Sequence, residues 1–301
     1  MEDNFRCGFV AILGRPNVGK STLLNALIGN KISIISSIPQ TTRHQIRGIL
    51  NLENAQIIFV DTPGIHSFKD ELTSHLNLVA KKSIEGCDLL LYVTDISRSI
   101  GREEETIMNL LASQKIKVIM VLNKIDLGIN FINDYINLWK EKTKDKEDPL
   151  VYYLPTSAKT GKNVDKLKEV IVESLPKQVP FYDKDTLTDF PLKFRISDII
   201  REKLFLNLKK ELPHFLAVEV EEIMEKENVF YIRVNIYVNR VSQKKIVIGE
   251  RGELLKNIGK EARIEIEQIL KKKVYLDIWV KVLEDWQKKT RILKELGYRW
   301  A

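Results

Sequence analysis

The segment "GRPNVGKS", which runs from Gly14 to Ser21, has residue types and a spacing that suit phosphate binding. Its glycines let successive main-chain N–H groups turn toward an anion at the N-terminus of a helix. Lys20 would reach the β- and γ-phosphates of a nucleotide, and the Ser21 hydroxyl would bind Mg²⁺. An apolar run precedes the segment and a helical pattern follows it, which is the context that this motif requires. The predicted phosphate contacts are Gly14, Arg15, Pro16, Asn17, Val18, Gly19, Lys20, Ser21 and Thr22.

Two short segments further along the chain have hydrogen-bonding groups that could select the base. Asp126, in "NKID", carries a carboxylate that can accept from both N1–H and the 2-amino group of guanine. Adenine presents a lone pair there and would leave the carboxylate without a partner, so such sites discriminate by ~10⁴–10⁵. Ala158, in "TSAK", has a main-chain N–H placed to donate to guanine O6. The predicted guanine contacts are Asn123, Lys124, Asp126, Ser157, Ala158 and Lys159.

A third segment, "DTPG", lies between the phosphate and base motifs and could serve the metal and the γ-phosphate. Asp61 would hold Mg²⁺ through a water, and the Gly64 N–H would contact the γ-phosphate. In "PQTTRHQIRG", Thr42 would close on the metal only when a γ-phosphate is present, although a plain polar loop is the alternative. The predicted metal ligands are Ser21, Thr42 and Asp61. The predicted catalytic residues include Lys20, Thr42 and Gly64. Further predicted nucleotide contacts are Asp61, Thr62, Pro63, Gly64 and Ile65.

Short apolar runs alternate with helical patterns over the first 175 residues, a rhythm typical of a largely parallel sheet covered by helices on both faces. The predicted strands are Gly8–Leu13, Gln45–Leu50, Ile57–Val60, Leu89–Thr94, Val118–Leu122 and Val151–Pro155. The predicted helices are Lys20–Ile28, Leu72–Glu85, Glu103–Ala112, Ile132–Thr143 and Val164–Leu175. Prolines at Pro176, Pro180 and Pro191 then interrupt the pattern. We therefore predict one domain over 1–177, a linker over 178–191 and a second domain over 192–301.

The second domain has a different predicted order: helix, strand, strand, helix, glycine turn, helix, strand. Alternation at period two marks Phe230–Val238 as a strand with one buried face. After the turn "GERG", apolar residues recur at spacings of three and four, which predicts a helix with one buried face. Residues 178–301 carry 25 Lys and Arg against 20 Asp and Glu, whereas residues 1–177 carry 23 against 21. Such a local basic surplus indicates either a polyanionic partner or a solvated helix face.

Bulk composition describes an ordinary globular chain. It has 301 residues, of which 44% are hydrophobic and 30% charged, enough for two domains with cores of their own. The longest apolar runs fall far short of the ~20 residues that span a bilayer. The first residues, "MEDNFRCGF", do not have the pattern of a secretory signal. Cys7 and Cys87 are too few and too distant for a disulfide framework, so we expect reduced thiols in a cytoplasmic protein.

The ordered motifs "GRPNVGKS", "TTR", "DTPG", "NKID" and "SAK" resemble those of the small GTPase fold in its bacterial ribosome-assembly branch. The segments "IIREKL", "ELP", "KKIVIGERG", "IGKEAR", "LDIWVKV" and "LGY" narrow the resemblance to the Era family, from about Cys7 to Tyr298. This resemblance implies an α/β P-loop GTPase domain followed by an α+β type II KH domain. It implies that the first domain converts GTP and water to GDP and phosphate. It also implies that the chain binds single-stranded RNA at the 3′ end of the small-subunit rRNA and acts in assembly of that subunit. A cytoplasmic monomer with peripheral contact to the inner membrane is implied as well.

In KH domains the GxxG turn clamps a single-stranded backbone of about four nucleotides. The residues carried over to this role are Lys244, Lys245, Gly249, Glu250, Arg251, Gly252, Lys256 and Lys260, among which Glu250 departs from the usual basic residue. Ile65 stands where Ras-like proteins have a water-orienting glutamine, and an aliphatic side chain cannot orient water. The Era resemblance supplies Asn17 as a K⁺ ligand and catalytic residue, with a simple turn former as the alternative.

Two other functions stay open from the sequence. One is a nucleotide-regulated RNA-binding adaptor with negligible turnover. The other is a tRNA-modification or transport GTPase, against which the KH-like second half and the lack of long apolar runs both argue.

Overall fold

The computed structural model describes residues 4–36, 38, 41–64, 71–208 and 212–298, except for the side chains of 71–73 and 75. They form two compact units. The first comprises Met1–Ile35 and Thr42–Asp189, and the second comprises Ser36–Thr41 and Phe190–Ala301. Among the described residues no helix is both long enough and apolar enough to cross a membrane.

The first unit is built on a six-stranded sheet in the order β2-β3-β1-β4-β5-β6. Among the described strands, β2 pairs with β3 in the antiparallel sense, as expected for two strands joined by a tight turn, and the other four pairings are parallel. The strands are β1 (Arg6–Leu13), β2 (Ile46–Asn51), β3 (Ala55–Asp61), β4 (Leu89–Asp95), β5 (Lys117–Asn123) and β6 (Leu150–Pro155). The helices are α1 (Lys20–Ile28), α2 (Glu71–Lys82), α3 (Arg102–Leu111), α4 (Ile132–Thr143) and α5 (Val164–Ser174). Each predicted strand and helix of this region is present.

Burial explains why these segments form strands. Every residue of β3 and β4 is buried, and apolar β-branched or long side chains dominate both, as in a sheet covered on its two faces. The carboxyl ends of the parallel strands β1, β3, β4 and β5 meet at one edge of the sheet, where ligands of such sheets bind. The motifs predicted to bind nucleotide follow β1, β3, β5 and β6.

The second unit contains the predicted order of elements around a three-stranded sheet, β7-β8-β9. Strand β7 is antiparallel to β8, and β9 is parallel to it. A buried cluster joins one sheet face to the helices, with Ile232, Val234 and Ile236 of β8 against Ile258 and Ala262 of α8. The elements are α6 (Leu192–Asn207), β7 (Leu216–Glu225), β8 (Val229–Val238), α7 (Val241–Ile248), α8 (Glu253–Leu270), β9 (Lys273–Val282) and a short α9 (Thr290–Glu295) that the sequence pattern did not predict.

The predicted linker, residues 178–191, divides between the two units after Asp189. Its first part lies along the edge strand β2 and the adjacent β3. The Ile49 N–H donates to the Leu187 carbonyl (2.9 Å), and the Phe181 N–H donates to Gln56 Oε1 (2.7 Å). An edge strand has unpaired main-chain groups, so an extended segment with few helix formers can pair with it. The prolines that indicated a linker are compatible with this pairing.

The segment Ser36–Thr41 belongs to the second unit although its neighbours in sequence belong to the first. Arg201 of α6 donates from Nη2 to the Thr41 carbonyl (2.9 Å) and from Nη1 to the Tyr298 hydroxyl (2.7 Å). Ile38 packs against the buried cluster of the second unit. Thr42, the next residue in the sequence, belongs to the first unit.

Candidate functional site

The phosphate-loop glycines occupy positions where a side chain would not fit. Gly14 has φ +157°, and a Cβ there would lie 2.4 Å from the Val93 carbonyl oxygen. Gly19 has φ +100°, and its Cβ would lie 2.5 Å from Asn123 Nδ2. Both distances are far below van der Waals contact, so only glycine allows the loop to lie this close to β4 and to the end of β5.

Lys20, the first residue of α1, is buried inside the loop that precedes it. Its ammonium donates to the main-chain carbonyls of Gly14 (3.1 Å) and Arg15 (2.8 Å), and the side chain is only 6% exposed. Burial lowers the pKa of Lys20 to about 8, although the nearby Asp61 carboxylate acts in the opposite direction. A desolvated ammonium held by its own loop is well placed to receive an anionic phosphate.

Three predicted metal ligands gather beside Lys20. The Ser21 hydroxyl donates to Asp61 Oδ2 (2.8 Å) and lies 3.0 Å from Thr42 Oγ1. Ser33, which the sequence did not single out, also donates to Asp61 Oδ2 (2.9 Å). Asp61 is fully buried, and burial raises its pKa above the ordinary range while Lys20 opposes the shift.

This oxygen set fits Mg²⁺. The other carboxylate oxygen of Asp61, Oδ1, is buried without a hydrogen-bond partner, so a cation or its bound water could satisfy it. Mg²⁺ is usually held by one or two carboxylates, hydroxyls and substrate phosphates rather than by a full protein cage. In line with that, no three His, Cys, Asp or Glu side chains within the described ranges gather into a metal site.

The base-recognition segments are joined to each other and to the phosphate loop. Asn123 donates from Nδ2 to the Val18 carbonyl (2.8 Å) and accepts from the Ala158 N–H at Oδ1 (3.0 Å). That N–H, predicted to donate to guanine O6, is therefore engaged within the protein here. Ser157 donates to Asp126 Oδ1 (2.6 Å), and Asp126 is exposed. The Ser157 hydroxyl can hold the carboxylate in place while its second oxygen faces the base.

Lys124 has a partner that sequence reasoning missed. Its ammonium donates to Asp95 Oδ2 (2.8 Å) at the end of β4 and to the Asn17 carbonyl (2.6 Å). Asp95 is buried, which acts to raise its pKa, but hydrogen bonds from Lys124 and Ser97 and the charge of Arg98 hold that pKa below its ordinary value. Asp95 is the last residue of β4, at the same sheet edge as the recognised motifs, and that position was the signal available in the sequence.

A second unpredicted group lies behind the phosphate loop. Glu104 of α3 is 1% exposed and forms an ion pair with Arg15. Its carboxylate also accepts from the Gly101 N–H (3.0 Å) and from the Tyr135 hydroxyl (3.3 Å), and burial raises its pKa. Through its ion pair with Arg15, Glu104 connects the phosphate loop to α3 and α4. No motif marked Glu104, because its partners lie on three different elements.

The remaining predicted nucleotide residues have the following positions. A Cβ at Gly64 would lie 2.9 Å from the Pro16 nitrogen, so "DTPG" touches the phosphate loop backbone to backbone. Thr62 donates to the Ile12 carbonyl (2.9 Å) on β1. Lys159 is exposed and Val18 is fully buried. Ile65 lies outside the described residues.

The turn "GERG" between α7 and α8 also depends on glycine. Gly249 has φ +75°, and a Cβ there would lie 2.6 Å from Leu254 Cβ. Gly252 has φ +80° and precedes the first residue of α8, but a Cβ there would meet no atom within 4 Å. Arg251 between them also has positive φ, at +50°. Glu250 and Arg251 in this turn are exposed, and the α8 N-terminus follows directly.

A groove of about 580 Å³ runs from this turn along α8 and β9. Of the residues predicted to bind RNA, Gly252, Lys256 and Lys260 line it. Lys244 and Lys245 lie on α7, and Gly249, Glu250 and Arg251 form the turn. The sequence reasoning missed the other lining residues, which are Leu255, Asn257, Gly259, Arg263, Tyr275, Leu276 and Ile278.

Two different family models match the two parts of the chain. A family model described as "50S ribosome-binding GTPase" matches residues 9–124, and a KH domain model matches residues 211–287. "GTPase Era" of Halothermothrix orenii is 42% identical over 98% of this chain and 99% of its own length. "GTPase Era" of Geobacter metallireducens is 44% identical over 99% of this chain and its entire length. The chain belongs to the Era family of GTPases.

Solved Era structures share the architecture. Era in complex with MgGDPNP and nucleotides 1506–1542 of 16S ribosomal RNA superposes with a TM-score of 0.92, at 40% identity over 98% of this chain and the whole of that one. A variant of Aquifex aeolicus Era bound to GDP and AlF₄⁻ gives a TM-score of 0.90 at the same identity and coverage. This member of the Era family is thus a GTPase with a P-loop domain and a C-terminal KH domain, as the sequence predicted.

Proposed function

We propose that this chain is a GTP-dependent switch that binds single-stranded RNA at the 3′ end of the small-subunit rRNA and acts in assembly of that subunit. The observation that carries the proposal is the contact between Ser21 and Thr42, 3.0 Å apart beside Asp61. Both residues belong to the first unit, and Thr42 is the residue that follows Ser36–Thr41 in the sequence. The solved Era complex with MgGDPNP and 16S rRNA supports the choice of ligands.

GTP binding and hydrolysis are assigned to the following groups. Lys20 exchanges its bonds to the loop carbonyls for bonds to the β- and γ-phosphates, while Asp126 and Ser157 fix the guanine. Ser21 and Thr42, with Asp61 through a water, would hold Mg²⁺, which when bound offsets the negative charge on the phosphate oxygens. The Gly64 N–H and Lys20 stabilise charge as it develops on the transferred phosphoryl group.

Asn17 is proposed as a ligand of K⁺ beside the phosphates. It lies in the phosphate loop with φ +61°, and Lys124 fixes its carbonyl. A monovalent cation there would supply some of the positive charge that an arginine finger supplies in other GTPases, an effect of ~10³–10⁵ in rate.

The groove along α8 is proposed as the RNA site. The positive-φ glycines let a sugar–phosphate chain approach the turn, and the α8 N-terminus points toward it. Lys256, Lys260 and Arg263 add attraction for phosphates that does not depend on base sequence. We also propose 1–177 and 192–301 as the functional domains, with a cytoplasmic, monomeric chain and peripheral contact with the inner membrane.

The test is a titration of single-stranded RNA from the small-subunit 3′ end against the GTP-analogue, GDP and empty forms. If GTP switches RNA binding, RNA affinity differs among the three forms. RNA then changes GTP affinity by the same factor by which GTP changes RNA affinity. Equal RNA affinity in all three forms would contradict the switch. Turnover that is negligible with RNA and K⁺ both present would favour the regulated RNA-binding adaptor instead.

A further inference from the structure

The sheet of the second unit has an outer face, opposite the buried cluster, with exposed aromatic side chains. Tyr275 of β9 is 61% exposed and Trp279, four residues later on the same strand and face, is 57% exposed. Tyr275 stacks on Tyr231 of β8, with ring centroids 5.7 Å apart and planes inclined by 11°. One face of the Tyr275 ring thus rests on a second aromatic ring, and the side chain remains largely accessible to solvent.

At the end of the face around Tyr231, two cations lie close to the aromatic ring. The Lys226 ammonium lies 5.8 Å from the centroid of the Tyr231 ring, and the Arg233 guanidinium lies 5.5 Å from it. Two carboxylates also lie here: Asp277 accepts from the Tyr231 hydroxyl (2.7 Å) and pairs with Arg233 (3.4 Å), and a Glu222 oxygen lies 4.0 Å from the Arg233 guanidinium. Aromatic rings flanked by cations are typical of surfaces that stack nucleobases and attract the phosphates between them.

The opposite end of the face is acidic. Glu219 accepts from the Tyr237 hydroxyl (2.7 Å), and Glu221 accepts from Asn235 (2.9 Å) with Lys281 at 3.9 Å. Trp279 pairs across the sheet with Asn235, within this acidic half. The two exposed aromatics therefore share a strand and a face, but cations lie over the ring on which Tyr275 stacks, whereas carboxylates accept from the residues around Trp279. Tyr275 is therefore better placed than Trp279 to stack a base of a polyanion.

Tyr275 also lines the groove along α8, so groove and outer face meet at the edge strand β9. We propose that single-stranded RNA bound in the groove continues across the edge of β9 and stacks one further nucleobase on Tyr275. Lys226, whose ammonium lies over the Tyr231 ring, contacts a phosphate that flanks this base. The inference rests on the proposed RNA site and extends its footprint beyond the four nucleotides that the GxxG turn clamps.

The experiment compares RNAs of four and eight nucleotides, centred on the same small-subunit sequence, with full-length protein in the GTP-analogue form. The wild type should bind the longer RNA more tightly. Tyr275→Ala should weaken binding of the longer RNA about tenfold, since one base–aromatic stack supplies roughly that factor, and leave the shorter one nearly unchanged. Tyr275→Phe keeps the ring and should match the wild type. Trp279→Ala, the control in the acidic half, should also match it.

A spectroscopic readout locates the base. 2-Aminopurine is placed one position outside the core on the 5′ side in one RNA and on the 3′ side in another. One of the two should be quenched by wild type, by Tyr275→Phe and by Trp279→Ala, but not by Tyr275→Ala. Quenching at neither position, or equal loss for both RNA lengths in Tyr275→Ala, would overturn the stacking site. Failure of wild type to bind either RNA would instead reject the proposed function itself.

Discussion

The Lys124 ammonium donates to the Asn17 carbonyl over 2.6 Å, so the base-recognition segment is fastened directly to the phosphate loop. The same ammonium is held by Asp95 at the end of β4. Lys124 itself has φ +67°, in the left-handed region that non-glycine residues seldom adopt. Its position therefore depends on these two acceptors, and the relative placement of guanine and phosphates depends on Lys124.

Asp95→Asn should weaken binding of both GTP and GDP, by a similar factor of about ten. The amide still accepts a hydrogen bond but loses the charge that holds Lys124, and bonds to charged groups are worth about 1.5–3 kcal/mol. The control is Arg98→Ala, since Arg98 pairs with the same carboxylate (2.8 Å) from a side chain that is half exposed. Its removal should leave both affinities close to wild type. Fluorescent-nucleotide titration measures both; a loss confined to GTP would show that Asp95 acts on the γ-phosphate instead.

The sequence could indicate the nucleotide motifs because each is contiguous and each follows a strand. Consecutive residues such as those of "NKID" carry their spacing in the sequence itself. Glu104 could not be found in this way, since its partners Arg15, Gly101 and Tyr135 come together only through packing of α3 and α4 against the loop. Periodicity marks which face of α3 is buried but does not identify a buried carboxylate with an ionic partner.

In the second unit, too, the sequence did not reveal residues that come together only through packing. Helical and strand periodicities predicted every element that forms the groove, and charge identified Lys256 and Lys260. Tyr275 and Arg263 were missed because a groove wall requires the register of β9 against β8 and the rotation of α8. The segment Ser36–Thr41 was missed as part of the second unit for a related reason, because its contact with Arg201 is far separated in sequence.

Asp126→Asn should shift preference from guanosine toward xanthosine nucleotides. Ser157 donates to Asp126 Oδ1 and can donate equally to an amide oxygen, which would direct the amide nitrogen toward the base. That nitrogen donates where xanthine has an oxygen and guanine has a competing amino group. Competition between GTP and XTP for the fluorescent nucleotide is the measurement. Unchanged GTP affinity without any gain for XTP would remove Asp126 from base recognition.

The pKa of Lys20 predicts a pH dependence of GTP affinity. Burial lowers that pKa to about 8 from an ordinary value of 10.5, so the ammonium of the empty protein deprotonates above about pH 8. Phosphates require the ammonium, so affinity should be flat below pH 8 and decrease above it, with proton uptake on binding. Calorimetry in buffers of different ionisation enthalpy measures the uptake. Lys20→Arg stays charged, and its weaker affinity should not change between pH 7 and 9; a parallel decrease there would assign the effect to another group.

The lowered pKa of Lys20 also makes the free energy of unfolding depend on pH. Between about pH 8 and 10.5 the unfolded chain keeps the Lys20 proton while the empty folded protein has lost it. The free energy of unfolding therefore rises with pH across that window through this group. Saturating GTP should flatten the rise, because bound phosphate restores the proton.

Replacing K⁺ by Na⁺ should slow GTP hydrolysis, and substitution of Asn17 should erase the difference. Asn17→Ala alone is ambiguous, because φ is +61° and alanine would strain the loop. Asn17→Gly accepts that φ and still removes the side chain, so it separates loss of a K⁺ ligand from strain in the loop. Phosphate release is measured for each variant in both salts. If Asn17→Gly keeps the wild-type K⁺ preference, Asn17 is a turn former and not a ligand.

The glycines of "GERG" should respond differently to substitution. A Cβ at Gly249 would meet Leu254 at 2.6 Å, so Gly249→Ala should lower the free energy of unfolding of the KH domain along with RNA affinity. A Cβ at Gly252 meets open space, and Asn and Asp tolerate its positive φ better than other side chains do. Gly252→Asp should therefore fold and keep basal GTP hydrolysis close to wild type, but lose RNA affinity through its negative charge. Gly252→Asn, the neutral control of nearly equal size, should lose much less. Thermal unfolding, phosphate release and RNA titration distinguish these outcomes, and full RNA affinity in Gly252→Asp would reduce "GERG" to a turn that connects two helices.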